Sequence, residues 1–140
     1  MNSKELGVLG ERIAQNYLKD KGYQILDKNY SFLIPGNPQK GEIDIVAKPC
    51  RNVFDILRGK KEDVIHFIEV KTLTSDKIIS PEEKVDYLKQ RKLIRTAESW
   101  LIKKKIALNS KWQIDIISII IDLISKKSSI QHFENAVSQI

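Results

Sequence analysis

The isoleucine-rich stretch from Trp112 to Leu123, with IISIII at 116–121 as its centre, constrains the fold more than any other part of this sequence. β-Branched side chains pack well on a pleated, half-buried surface, so the stretch reads as one long strand. It falls well short of the roughly 18 apolar residues that a membrane span requires, so no membrane association is expected. A strand needs partners, and the sequence offers four more. Tyr23–Tyr30 and the run VIHFIEVKT at 64–72 are rich in β-formers, and Ile130–Phe133 follows a turn-like SKKSS at 125–129. Glu42–Ala47 alternates, which predicts Ile43, Ile45 and Ala47 on one face and Glu42, Asp44 and Val46 on the other.

Two helices complete the pattern. In residues 3–21, Leu6, Leu9, Ile13, Ala14, Tyr17 and Leu18 recur at three- and four-residue spacing, and Gly22 suits the position just past a helix end. Gly7 and Gly10 weaken this helix and point to close packing of its backbone. A second helix is predicted to open near Ser80, with Ser80, Pro81 and Glu83 forming a capping box and Asp86 able to cap a restart. Its apolar stripe is Leu93, Ile94, Ala97, Trp100 and Leu101, and the lysines at 103–105 suit the negative end of its dipole. SFLIPGNPQKG at 31–41 reads as loop, and 48–63 as a polar connection with a short apolar patch and an inserted helical turn. The expected order is α-β-β-β-α-β-β, an α/β or α+β sheet flanked by helices. With 140 residues, a single domain over 1–140 is expected, large enough to bury a core without cross-links.

The charge is unevenly spread. Residues 84–111 carry nine basic and two acidic side chains, whereas residues 1–76 are nearly balanced with twelve and eleven. One basic segment on a near-neutral scaffold fits a polyanion-binding face, and a merely solvated helix face is the plainer alternative. Cys50 is the sole cysteine, which rules out an intrachain disulfide framework and fits a reducing compartment. The opening MNSKELGVLGER contains no apolar stretch of the secretory kind, so a cytoplasmic protein is expected. Gly7 and Gly10 do not follow a strand, which argues against a dinucleotide site.

Carboxylates inside apolar strands are the main hint of function, because a buried charge is costly unless paired. Glu69 and Lys71 are two residues apart and share a strand face; Asp44 lies on the neighbouring candidate strand. If those strands pair, Asp44 and Glu69 approach each other, and two close carboxylates resolve their repulsion by sharing a proton or binding a cation. Hard oxygen donors with waters completing the shell suit Mg²⁺. The plainer alternative is an Asp44–Lys71–Glu69 ion-pair ladder. Glu11 borders the first helix's apolar stripe and Lys89 lies one turn before Leu93, so both can lean toward the same place. Asp115 interrupts the isoleucine strand and reads as a buried pairing partner. His66 and His132 read as packed or edge residues, not ligands.

The segments GEIDIVA at 41–47, FIEVKT at 67–72, LGERIAQNYLKDKGYQIL in the first helix, SPEEKVDYLKQRKLIRTAESWL at 80–101 and HFENAV at 132–137 together resemble the YraN-like family. That family comprises small bacterial proteins predicted to be endonucleases of the PD-(D/E)xK, restriction-endonuclease-like superfamily, close to archaeal Holliday junction resolvases. The resemblance implies a restriction-endonuclease-like sheet flanked by helices, with catalytic positions at Glu11, Asp44, Glu69 and Lys71. Glu11, Asp44 and Glu69 would hold Mg²⁺ or Mn²⁺. The family's second-helix lysine falls on Lys89, and the basic residues Lys89, Arg91, Lys92 and Arg95 would contact DNA phosphates. Resolvases that cut two strands symmetrically work as dimers, which leaves a homodimer open. The family's usual arginine shortly after the asparagine is absent here, where the chain reads Asn29-Tyr30-Ser31.

Overall fold

The structure is a computed structural model, described for residues 1–50, 53–59, 63–76 and 86–137. Its elements are α1 (Ser3–Asp20), β1 (Tyr23–Leu33), β2 (Lys40–Pro49), α2 (Val53–Leu57), β3 (Ile65–Thr74), α3 (Tyr87–Lys103), β4 (Trp112–Ile121) and β5 (Ser128–Phe133). The five strands form one mixed sheet in the order β1-β2-β3-β4-β5. β3 and β4 run parallel, joined across one face by α3, and the other neighbouring pairs are antiparallel. This is the mixed α/β sheet that the sequence predicts, with the inserted helical turn realised as α2.

The helices cover opposite faces. Ala14 and Leu18 of α1 pack on Ile45, Ala47, Ile68, Ile117 and Ile119. Leu93, Ala97, Trp100 and Leu101 of α3 pack with Ile43, Val46, Phe67, Ile114 and Ile116. Phe67 is gripped edge-on by Trp100 and Trp112, at centroid distances of 5.5 and 5.6 Å. Asn2 and Glu5 close a capping box on α1, and Gly22 ends it with a φ of +89° that a side chain would oppose. Asp86 caps α3 by accepting from the Lys89 N–H at 2.8 Å. The start predicted at Ser80, Pro81 and Glu83 lies outside the described residues.

Three expectations are corrected. Ser31–Leu33, read as loop, extend β1, because Ser31, Phe32 and Leu33 pair with Glu42, Gly41 and Lys40. β5 begins at Ser128, inside the segment read as turn. The alternation in β2 holds from Ile45 to Ala47 and breaks at Asp44, so that Ile43 joins the α3 layer while Ile45 joins the α1 layer. β1 is irregular at the same level. Its register slips between Ile25 and Asp27, and Asn29, which falls between the pairs Lys28–Ile45 and Tyr30–Ile43, has a φ of +51°. Asparagine tolerates that left-handed backbone better than other non-glycine residues.

Of the two helical glycines, Gly10 is the one that close packing explains. A Cβ there would lie 1.8 Å from Thr72 Oγ1, whereas Gly7 has nothing within 4 Å. α1 therefore rests directly on β3, and the residue after Gly10 is Glu11.

Candidate active site

β2 and β3 pair only over Ile45–Ile68, Val46–Phe67 and Ala47–His66. Continued pairing would bring Val70 opposite Ile43. The Val70 N–H instead donates to Asp44 Oδ2 at 2.8 Å, so a side chain takes over where the ladder stops. The two strands diverge at that point, and groups from both helical layers meet in the gap. Glu69 is buried on the α3 side, its Oε1 3.2 Å from Lys71 Nζ and 2.9 Å from Lys89 Nζ. From the α1 side, the Glu11 carboxyl stands beside the Asp44 side chain, close enough for the two to share a proton. The structure thus brings Glu11, Asp44, Glu69, Lys71 and Lys89 together from four elements.

The charges in this cluster are under strain. Burial pushes the Asp44 carboxyl up to about 7, the Glu69 charge adds to the rise, and the Val70 N–H only partly offsets it. Burial also raises Glu11, with Glu69 and Glu42 adding to the effect against the bond from Asp44. Lys71 is lowered, first by burial and then by the neighbouring Lys89 ammonium. Acids that resist ionisation beside a lysine inclined to lose its proton form a site short of mobile positive charge. Such a donor set of carboxylate oxygens suits a hard divalent cation.

Asp44 and Glu69 floor a cleft of about 630 Å³ between the β1–β2 connection and the first half of α3. Lys89, Arg91, Lys92 and Arg95 all line it, with Arg91 and Arg95 exposed. Gln39 and Lys40 close the opposite wall, and Lys92 Nζ donates to Gln39 Oε1 at 2.8 Å. Sequence reading missed these two wall residues, since they sit in the stretch read as featureless loop.

A second polar cluster, never read as a unit in the sequence, lies toward the other end of β3. Asp115 is fully buried. Its Oδ2 is 2.6 Å from His66 Nδ1 and 2.7 Å from His132 Nε2, while its Oδ1 accepts from Gln113 Nε2 at 2.8 Å and from the Asn135 N–H at 2.9 Å. Tyr17 Oη meets His132 Nδ1 at 3.1 Å, and the Tyr23 ring stands edge-on to His66. Burial comes first in pushing Tyr23 up to about 12, with the Glu134 and Asp115 charges behind it. Burial would raise Asp115 too, but the donors from His132, His66, Asn135 and Gln113 hold it well below the ordinary carboxylate range. The expected buried partner role of Asp115 is what the structure has, and both histidines are packed on it.

Residues 10–119 match Uncharacterised protein family UPF0102. The chain belongs to this family. UPF0102 proteins from Alkaliphilus oremlandii (strain OhILAs) and Clostridium tetani (strain Massachusetts / E88) are 39% and 36% identical to it over 134 and 138 residues. A UPF0102 protein from Clostridium botulinum (strain Kyoto / Type A2) is 35% identical over 134 residues. The matches span 96–97% of this chain and 94–98% of those relatives. Among the described residues, no helix is long and apolar enough to cross a membrane.

Proposed function

We propose that this UPF0102 protein is a Mg²⁺-dependent endonuclease-like enzyme that hydrolyses DNA phosphodiester bonds, on a sheet of the restriction-endonuclease-like, PD-(D/E)xK kind. The observation that carries the reading is the meeting of Asp44, Glu69 and Lys71 where β2 and β3 part, with both carboxylates lining a cleft walled by cations. Asp44, Glu69 and Glu11 would hold the ion, and Mn²⁺ fits the same oxygen donors. A bound ion of this kind activates water and stabilises the charge that develops on the phosphoryl oxygens. Lys71 stands beside Glu69 to orient the attacking water. Glu11, beside Asp44, closes the site from the α1 side. Lys89, Arg91, Lys92 and Arg95 meet the backbone phosphates, contacts that position a duplex without reading its sequence.

One observation favours a second reading. Glu69 Oε1 already has two ammonium partners, Lys71 and Lys89, as a structural ion-pair ladder would. In that case the fold is a non-catalytic nucleic-acid or protein-binding module. Incubation of linear and branched DNA with the protein in Mg²⁺, Mn²⁺ or EDTA separates the two. The enzyme reading expects cleavage only with the divalent ions, lost in Asp44→Asn and Lys71→Ala while DNA binding in EDTA persists. It also expects Mg²⁺ to raise the melting temperature of the wild type and not of Asp44→Asn. Binding should fall with salt by about 0.9 log units per phosphate neutralised, and less steeply in an Arg91, Lys92, Arg95→Ala triple variant. DNA binding with neither cleavage nor a Mg²⁺-induced melting shift overturns catalysis and leaves the binding module.

A further inference from the structure

We propose that His66, Asp115, His132 and Glu134 form a Zn²⁺ site, separate from the carboxylate cluster of the cleft. His66 and Glu69 lie three residues apart on β3, about 10 Å along the strand, so one ion cannot serve both places. One ligand atom from each of the four residues falls within 4.8 Å of the others. Two imidazole nitrogens with two carboxylate oxygens suit zinc and not magnesium, which prefers oxygen alone.

The surroundings resemble those of a built site. Asp115 is clamped through Oδ1 by Gln113 and the Asn135 N–H, which leaves Oδ2 aimed between the two histidines. His132 is held from behind by Tyr17 through Nδ1, the outer contact that fixes the ring of a metal-bound histidine. Three of the four ligands are buried or half-buried, and Glu134 is exposed at the rim, where an ion can enter. With both imidazoles neutral the cluster carries two negative charges, which a dication balances.

Without zinc, the histidine nitrogens meet Asp115 Oδ2 at 2.6 and 2.7 Å, the spacing of N–H donors on a carboxylate. Tetrahedral bonds of about 2.05 Å place ligand atoms roughly 3.3 Å apart, so the ligands must separate by about half an ångström or more. His132, on the edge strand, and the exposed Glu134 are free to supply that movement. Zinc needs the lone pairs of His66 Nδ1 and His132 Nε2, so each neutral ring carries its one proton on its other nitrogen. In His132 that nitrogen is Nδ1, whose N–H then donates to Tyr17 Oη.

The test is competition for Zn²⁺ between the folded full-length chain and a metallochromic chelator, with Co²⁺ as a spectroscopic stand-in. The wild type should take up one Zn²⁺ per chain, and Asp44→Asn should bind it equally. His132→Gln should bind at least about tenfold more weakly, and Tyr17→Phe, which touches no ion, roughly tenfold more weakly through the lost outer contact. Glu134→Gln, at the exposed rim, keeps the fold intact and should also weaken binding. Co²⁺ should give the intense visible bands of a tetrahedral site in wild type and Asp44→Asn. Failure to compete for Zn²⁺ overturns the proposal. So does Zn²⁺ binding that survives His132→Gln and Glu134→Gln but disappears in Asp44→Asn, which would place the ion in the cleft.

Discussion

Asp44 and Asp115 are both carboxylates drawn into the sheet beside β3, yet burial leaves them in opposite states. Asp115 has four donors and is held strongly ionised. Asp44 has the Val70 N–H and little else to set against burial and the Glu69 charge, and its carboxyl titrates at about 7. Desolvation raises both; the number of donors decides which way each goes. A carboxylate met by donors on every side keeps its charge without help; one left short of positive charge gives way to a proton unless a cation joins it.

The largest expected effect is at the satisfied end. Asp115→Ala removes the acceptor shared by His66 and His132 and leaves Gln113 and the Asn135 N–H unpaired as well, so it should cost about 3–5 kcal/mol by urea denaturation at pH 7. Because the Asp115 carboxyl is lowered in the fold, its contribution is present above the ordinary carboxylate range and is lost as pH falls below it. A loss under about 1 kcal/mol would break the contrast. The intermediate effect has the opposite sign. Asp44 titrates at about 7 in the fold against 3.8 as an ordinary carboxyl. The folded state therefore keeps a proton that the unfolded chain has released. That stabilisation is complete below about pH 4 and is lost as pH rises through about 7. Asp44→Asn keeps an acceptor for Val70 and removes the charge. In EDTA it should be more stable than the wild type by up to about 4 kcal/mol at pH 8, with the gap closing near pH 4. Destabilisation at pH 8 would make Asp44 a structural partner of Lys71 instead. The smallest effect supplies the reference: Lys40 and Glu42 pair at 3.3 Å with more than half of each side chain in water. Lys40→Ala should change stability by less than about 0.5 kcal/mol, which ties the other two effects to burial.

The sequence announces the layers well. The stripes of α1 and α3, the isoleucine strand and the run at 64–72 each carry enough periodicity or β-branching to declare themselves. It also brings Asp44 and Glu69 to neighbouring strands by simple pairing. Strict alternation, however, separates residues by face, and by that rule Glu11 on the α1 side and Lys89 on the α3 side belong to different layers. They meet Asp44 and Glu69 because β2 and β3 part company there, and the irregularity at Asn29 opposite Asp44 has no periodic signature. The extension of β1 through Ser31–Leu33 was hidden by the prolines and glycines that follow it. The Asp115 cluster escaped as a unit because its polar members come from three strands and the segment after β5, and no periodicity within one stretch links them.

The three rungs that join β2 to β3 divide the sheet into a β1–β2 hairpin and a β3–β4–β5 block. Asp44 belongs to the hairpin; Glu69 and Lys71 belong to the block. A ladder opens most readily where it is shortest, so amide exchange at this seam is expected to outpace exchange deep within either part. Opening the seam separates the carboxylates while each half keeps its own hydrogen bonds. Residence of an ion or a phosphate between them would then slow exchange along a line of amides, reporting occupancy from the backbone of the seam itself.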